Sequence, residues 1–436
     1  MRKFTLFILD AGLLYLSLLA MLVIRYGLRI SEAYAIHLAP FLVIFGLWLL
    51  VFYIAGLYDV RTFRNNIYFY STFLQAVGIA TLVSVGFFYV IPLFGITPKT
   101  NLAIFAAAFT LLDIAGRSLF NGIVETRLKK PTLIIGSNEL ARETADLLRK
   151  NPQLGYELVD IIDPAQSDHF ERKIHDQRVN TVVVSPESYQ IPHLIDVFYK
   201  TLGMQVAFYN LATFYERVFG RVPVAGITQV WFLENMTQAN SRFFESVKRL
   251  GDIIFGLIFG VLSLPVCAVV AILIRFTSEG PIFYSQTRIG RLGKPFEIVK
   301  FRTMVKDAEA QTGAVWASAS DARITPLGRL LRRTRLDELP QFWLVVKGDM
   351  SLVGPRAERP EFHAILKKEV PFYEERYLIK PGLSGWAQIN YSYGSSIHDA
   401  AQKLQYDLYY IKNRSIILDI GIILTTIRIA LAQAGN

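Results

Sequence analysis

The chain holds one cysteine, Cys267, in 436 residues. That excludes an intrachain disulfide framework, and the position of Cys267 in an apolar run says little about redox compartment. Charge is also scarce. Asp, Glu, Lys and Arg make up 19% of the chain against 52% hydrophobic residues. This is too apolar for an ordinary soluble protein and too charged for a purely polytopic one, so a membrane anchor joined to soluble domains is expected. Acids are outnumbered, 36 against 46 Lys and Arg, and the formal net charge of +10 favours anionic partners. The opening "MRKFTLFILDAGLLYLSLLAMLVIRY" lacks a small-residue cleavage site, and its apolar run is longer than a signal-peptide core. It reads as a retained membrane helix.

A spanning helix needs about 20 mainly apolar residues. Four segments qualify, roughly 4–24, 38–58, 74–95 and 102–123, within an N-terminal bundle over 1–125. Asp10 and Asp113 interrupt the first and fourth, and an intramembrane carboxylate is expected to face other helices. Arg2, Lys3, Arg61, Arg64, Arg127, Lys129 and Lys130 fall on one side of the bundle, with Arg117 near that end of the fourth helix. Arg25, Arg29 and Lys99 fall on the other, which makes the first side cytoplasmic.

Residues 131–236 read as a soluble, Rossmann-like α/β module. "PTLIIGSNELARETADLLRK" is a buried strand, a glycine turn and an amphipathic helix, and 180–186 and 203–210 read as further parallel strands. Of a G-x-G-x-x-G fingerprint only Gly136 survives, with Asn138 and Ala141 in the other places. No tyrosine here has a lysine four residues later, so the short-chain epimerase and reductase pair is missing. A structural or regulatory module is expected over a redox enzyme.

The run at 250–276 is long enough to span, but basic residues flank it on both sides: Lys248 and Arg249 before, Arg275, Arg288, Arg291 and Lys294 after. Spanning would put one cluster outside, against the positive-inside rule. Pro265 lies at its centre, where it lacks an N–H and clashes with the carbonyl of Val261, and Ser263 is placed to satisfy freed backbone groups. A helix that breaks at Ser263 and Pro265 and returns keeps both flanks cytoplasmic. The plainer alternative is a kinked spanning helix.

After 276 the sequence is rich in phosphate-seeking residues: Lys300 and Arg302 in "KFRTM", Arg356 and Arg359 in "GPRAERP", and Lys380 before a Pro-Gly turn. Arginine offers a planar fork to phosphate oxygens. The run "RRTRLDELPQF" sets Asp337 and Glu338 side by side behind several arginines. Alone, that is a charged surface helix. Beside a membrane anchor it points to a diphosphate site at the membrane surface.

The order of "SLP", "GPIFYSQTRIGRLGKPF", "KFRTM", "RRTRLDELPQ", "KGDMSLVGPR", "KPGLSGWAQI" and "KLQYDLYYIKNRS" resembles the bacterial monotopic phosphoglycosyl transferases. The four N-terminal helices and the α/β module extend the likeness to the large subgroup of that family, and "TGAVWA" at 312–317 resembles its exopolysaccharide branch. Ala357 departs from the family, which usually has proline there. The resemblance implies a catalytic domain over 246–436 with a re-entrant helix at 250–276. It implies transfer of a sugar 1-phosphate from a UDP-sugar to undecaprenyl phosphate, with release of UMP. Asp337 is then the nucleophile, Glu338 its neighbour at a magnesium ion or its acid–base helper, and the metal ligands are Asp337 and Glu338. By the same likeness Lys300, Arg332 and Arg356 grip phosphates and Asp407 completes the site. Pro340 is tolerated in a first helical turn, which places the dyad at a helix N-terminus, where phosphate is favoured.

Residues 415–434 carry Asp419 and Arg428 and suit an interfacial contact better than a span. Inner-membrane lipids are expected partners, and the bundle and module suit a homodimer. The alternative function is a non-catalytic membrane scaffold or nucleotide sensor. A processive glycosyl transferase would need an Asp-x-Asp triplet, which is absent. Nucleic acid is not an expected partner, because the basic residues are interleaved with Gly-Pro turns and no reader helix is present.

Overall fold

The computed structural model describes residues 2–27, 30–59, 67–91, 99–126, 129–165, 170–201, 206–224, 227, 229–236, 242–306, 308, 321–391, 394 and 396–434. Arg29, Arg61, Arg64, Arg127 and the 312–317 motif lie outside them. The chain forms two compact units, Met1–Asn210 and Leu211–Asn436.

The first unit opens with four long helices, α1 (Arg2–Tyr26), α2 (Ile30–Ile54), α3 (Ile67–Val90) and α4 (Lys99–Thr126). All four are long and apolar enough to cross a membrane. α2 and α3 start earlier than the hydropathy of the chain suggests; the first turn of α2 carries Ser31 and Glu32, polar residues that still form helix. Aromatic rings fill the interior: Phe41 meets Phe105 edge-on at 5.1 Å and Trp48 meets Phe109 at 5.2 Å. Large apolar side chains such as Leu82, Val90, Leu111 and Leu119 point outward, the pattern of helices solvated by lipid.

Asp10 and Asp113 face inward as expected, both fully buried. One guanidinium serves both. Arg117 pairs with Asp10, lies 3.0 Å from Asp113 and donates to the Leu57 carbonyl, while Tyr58 donates to Asp10 at 2.7 Å. Arg117 is therefore a buried partner of the acids and not a loop charge that orients the bundle.

A parallel four-stranded sheet follows, in the order β2-β1-β3-β4. Its strands are β1 (Lys130–Ile135), β2 (Tyr156–Ile162), β3 (Thr181–Val184) and β4 (Ala207–Asn210), joined by helices α5 (Glu139–Lys150), α6 (Phe170–Asp176) and α7 (Pro192–Thr201). Gly136 is required by close approach, since a Cβ there would lie 2.7 Å from Ser185 Oγ. Asn138 caps α5 by accepting from Ala141 N, and its amide donates to Glu187 at 2.8 Å. The helix end that a dinucleotide phosphate would need is thus capped by a side chain and faced by a carboxylate.

The second unit begins with α8 (Leu211–Phe219) and α9 (Gln229–Met236). The sequence assigns these residues to the α/β module, but they pack elsewhere. Glu216 pairs with Lys412 at 2.7 Å, Trp386 donates to the Gly220 carbonyl, and Val222, Ile227 and Met236 enter the second unit's core. The module therefore ends at Asn210, because the aromatic face of 211–236 finds its partners downstream.

α10 (Arg242–Thr277) is one continuous helix of 36 residues. The break expected at Ser263 and Pro265 is absent. Proline forfeits a single N–H bond, and Ser263 Oγ donates to the Gly260 carbonyl at 2.8 Å, so the turn is retained. The rest comprises the antiparallel hairpin β5 (Phe283–Ile289) and β6 (Pro295–Phe301), then α11 (Pro326–Thr334), α12 (Phe342–Lys347), β7 (Ser351–Val353), α13 (Pro360–Glu369), β8 (Gly382–Ser384), α14 (Trp386–Asn390), α15 (Ile397–Lys412) and α16 (Ile416–Ala434). β7 and β8 pair in parallel, and their loops touch so closely that a Cβ on Gly382 would lie 2.0 Å from Gly354 N.

Replacing Arg117 with Met would strand two buried carboxylates. The expected loss of stability is about 3–5 kcal/mol, against about 1 kcal/mol for Ser84→Ala, which removes the acceptor of the Trp48 N–H. Thermal unfolding of the detergent-solubilised variants measures both. Equal, small losses would show that the three charges are not coupled.

Candidate active site

The hairpin sets the chemistry by alternation. Tyr284, Gln286 and Arg288 on β5 stand opposite Lys300, Ile298 and Phe296 on β6, one face of the pleat. That face lines a recess with Glu338, Gln341, Met350, Arg356, Ala357, Gly382 and Leu383. Lys300 and Arg288 therefore arrive together, Lys300 with its ammonium 5.5 Å from the Tyr284 ring centre.

The dyad enters through a change of helix type. α11 is capped at its start by Thr325, which accepts from Gly328 N, and ends at Arg335 in the left-handed conformation, φ 57°. A 3-10 turn, Leu336–Gln341, carries Asp337, Glu338 and Pro340 and runs into α12. The acids thus lie in the first turn of a 3-10 segment, where neighbouring side chains diverge by about 120°. They take different environments.

Glu338 accepts from Arg356 at 3.0 Å and lies 3.8 Å from Arg335. Burial pushes its carboxyl up, but Arg356 and Arg335 outweigh burial and hold it below the usual range. Asp337 is 6% exposed, and among the described residues no donor hydrogen-bonds to its carboxylate. Burial, then the Glu338 charge, pushes it up to about 6, against the pull of Lys300, Arg332 and Arg356. Burial and the charges of Arg288 and Arg332 bring Lys300 down to about 8. An acid that wants an electrophile faces cations that want an anion.

The other expected residues divide. Arg332 belongs here, fixed by its Nε on Thr303 Oγ1 at 2.8 Å. Arg302 does not: it passes the end of β6 and donates to Ser278 O and Oγ at the foot of α10. Arg359 opens α13 with its guanidinium 5.5 Å from the Phe362 ring centre and near Glu361. Lys380 lines a separate recess. Asp407 is 1% exposed and reaches the site through Arg376, with which it pairs at 2.8 Å. Arg376 in turn donates to the Arg356 carbonyl at 3.1 Å and to Tyr373 OH at 2.5 Å. Asp407 therefore positions the Arg356 loop.

Two residues of the site, Gln341 and Arg376, escape a reading of motifs. Arg288 stands among the phosphate-seeking residues of the hairpin sequence and is placed by strand pairing. Arg288 donates to the Ala357 carbonyl at 3.2 Å and to Gln286 at 2.7 Å. Its signal is its place four residues from Tyr284 on the face that bears Lys300. Because the Ala357 backbone makes this contact, the departure from proline leaves it intact. Gln341 lines the recess, one 3-10 turn after Glu338. Arg376 has no local signal, since its partners Asp407 and Arg356 are remote in sequence.

Among the described residues no group of three or more His, Cys, Asp or Glu side chains forms a metal cage. The adjacent carboxylates nonetheless fit magnesium, which commonly takes one or two carboxylates and completes its shell with phosphate and water.

A sequence model of the family described as "Bacterial sugar transferase" matches residues 243–433. A UDP-N-acetylgalactosamine-undecaprenyl-phosphate N-acetylgalactosaminephosphotransferase of Aeromonas hydrophila is 42% identical over 195 residues, 45% of this chain and 46% of that protein. The chain thus aligns with less than half of that relative's length. An undecaprenyl-phosphate glucose phosphotransferase of Komagataeibacter xylinus is 28% identical over 77% of this chain and 66% of its own. A UDP-glucose:undecaprenyl-phosphate glucose-1-phosphate transferase of Klebsiella pneumoniae is 30% identical over 69% of this chain and 67% of its own.

Asp407→Asn should weaken the hold on Arg376 and loosen the loop behind it. The reporters are the amides of Gly354, bonded to Ser384 O, and Ile289, bonded to Glu358 O. Their hydrogen exchange should quicken about tenfold, as a charged hydrogen bond is lost, while the amides of β1 and β3 stay as they were. Unchanged exchange at Gly354 and Ile289 would refute the positioning role.

Proposed function

Because this chain belongs to the bacterial sugar transferase family, we propose that it transfers a sugar 1-phosphate from a UDP-sugar to undecaprenyl phosphate. The observation that carries the mechanism is Asp337: a buried carboxylate that accepts no hydrogen bond among the described residues and feels the charges of Lys300, Arg332 and Arg356. A carboxylate oxygen of Asp337 attacks the phosphorus that bears the sugar. The bond from that phosphorus to the bridging oxygen breaks, UMP leaves with the electron pair, and an acyl phosphate remains that links Asp337 to the sugar phosphate. An oxygen of undecaprenyl phosphate then attacks the same phosphorus, and the carboxylate leaves as a free anion. Lys300, Arg288, Arg332 and Arg356 offset the charge that gathers on the phosphoryl oxygens. Glu338 keeps Arg356 in place.

Asp337 and Glu338 would hold a magnesium ion, which when bound neutralises diphosphate charge. Two donors named among the relatives, UDP-glucose and UDP-N-acetylgalactosamine, head the panel to be assayed for UMP release.

The site lies at the cytoplasmic face of the bacterial inner membrane in this reading, and α10 enters and leaves from that face. Support comes from both halves of α10. Arg249 donates to Val345 O and Val346 O, while Val270 and Ile274 pack on Phe301 and Leu331 of the same unit. A helix that crossed the bilayer would carry one of these contacts to the far side. In this reading the parallel-sheet module is Rossmann-like and has a structural or regulatory part.

The decisive test is intact-protein mass after incubation with UDP-sugar and magnesium but no lipid acceptor. Wild type should gain a sugar phosphate; Asp337→Asn should gain nothing and lose activity by orders of magnitude. An equal adduct on Asp337→Asn would remove Asp337 as the nucleophile. Glu338→Gln, which removes the anion that fixes Arg356, should reduce turnover by about 10–100-fold.

The rate should also depend on pH in a defined sense. Asp337 must be ionised, so kcat/KM rises as pH climbs through about 6. Lys300 must be protonated, so kcat/KM falls as pH passes about 8. A flat profile between these limbs that continues well below pH 6 would contradict the role of Asp337. Lys300→Arg should move the alkaline limb upward, since arginine keeps its proton.

A further inference from the structure

Two basic recesses adjoin the β7–β8 pair. Met350 lines the recess of the dyad, and its neighbour Ser351 lines the other, with Arg249, Asp252, Arg291, Lys380 and Arg414. Most charges in the second recess are already committed. Arg249 donates to Val345 O at 2.7 Å and Val346 O at 2.6 Å, closing the end of α12. Arg414 pairs with Glu245 at 2.6 Å, and Asp252 accepts from Ser351 Oγ and Leu352 N. Lys380 and Arg291 are different: among the described residues neither side chain has a hydrogen bond or an ion pair. Lys248, Arg249, Arg291, Lys380 and Arg414 outnumber Glu245 and Asp252 along the lining, so the pocket has an excess of positive charge. Burial first, then Arg249, holds the Lys380 ammonium below its usual range.

The recess lies at the start of α10. Along the next turns of that helix Leu250, Ile254 and Phe255 are 58%, 44% and 49% exposed. A ligand that satisfies both features has an anionic head and apolar chains. The dyad is not among the lining residues, so a phosphate bound here is held without reacting.

We propose that Lys380 and Arg291 bind the phosphodiester headgroup of a bilayer phospholipid, whose acyl chains lie along the exposed face of α10. The structure thus assigns Lys380 to an anchoring site and not to the recess of the dyad. The contact fixes the depth of α10 at the membrane surface. It does not depend on the transferase reading.

The test uses the full-length protein in mild detergent, mixed with phosphatidylglycerol and examined by native mass spectrometry. Wild type should retain a bound phospholipid. Lys380→Gln with Arg291→Gln should reduce the bound fraction about tenfold or more, because two charged contacts to phosphate are lost. Lys380→Arg keeps the cation and should keep the lipid, which separates loss of binding from loss of fold. Lys367→Gln, a charge change on exposed α13, should bind as wild type does. Excess inorganic phosphate should leave the adduct in place. Equal retention by the double variant would overturn the proposal, and displacement by inorganic phosphate would replace the lipid with a soluble anion. No turnover is measured, so the result stands apart from that of the adduct experiment.

Discussion

The C-terminal unit is organised around the repulsion of cations gathered before any anion has arrived. Arg288, Lys300 and Arg356 converge on one recess, with Arg332 close enough to act on Lys300 and Asp337, and each would swing toward water if it were free. Fixed oxygens hold the arginines in place: Ala357 O for Arg288, Thr303 Oγ1 for Arg332 and Glu338 for Arg356. A deeper layer, Asp407 through Arg376, holds the loop that carries Arg356. Groups already aimed at a phosphate need little reorganisation when charge develops on it. Burial of Asp337, with no donor to its carboxylate among the described residues, suits the proposed mechanism, in which a solvated carboxylate would be a poorer nucleophile.

The rigid part of this arrangement is backbone. Gly354 and Gly382 meet where no side chain fits, so the Arg356 loop and the Lys380 loop share one wall. The isolated bridge between Ile289 and Glu358 ties that wall to the hairpin that carries Arg288 and Lys300. α10 supplies the floor, with Gly256 and Gly260 allowing Val346 and Trp343 to approach. Membrane attachment and phosphate binding thus share one set of packed elements.

Much of this was legible in the sequence, and the gaps have physical causes. The four apolar helices, the parallel strands and the dyad follow from local pattern, because hydropathy and turn chemistry act over a few residues. Asp10 and Asp113 announce a buried partner, but pattern cannot say that one residue, Arg117, serves both. Arg302 and Lys300 sit two residues apart and read as a pair, yet the strand ends between them, and Arg302 leaves for Ser278. Lys380 carries the right charge for the dyad's recess and lies in the neighbouring one. Residues 211–236 read as a continuation of the α/β module because their aromatic partners, Phe372 and Trp386 among them, come much later in the chain. The continuous α10 shows the limit of proline as punctuation: one lost bond bends a membrane helix more readily than it ends one.

The pairing of Asp10 with Arg117 has a consequence for biogenesis. The two residues are 107 positions apart, so α1 leaves the ribosome long before its counter-charge exists. At ordinary synthesis rates the delay is roughly 5–20 s. During that time a carboxylate within the first apolar segment opposes release into lipid by about 2.5–3.5 kcal/mol at the helix centre. The first helix is therefore best kept at the insertion machinery, or at its protein-facing edge, until the fourth emerges. A bundle that enters the bilayer as a neutralised group avoids that cost, and one that enters helix by helix bears it.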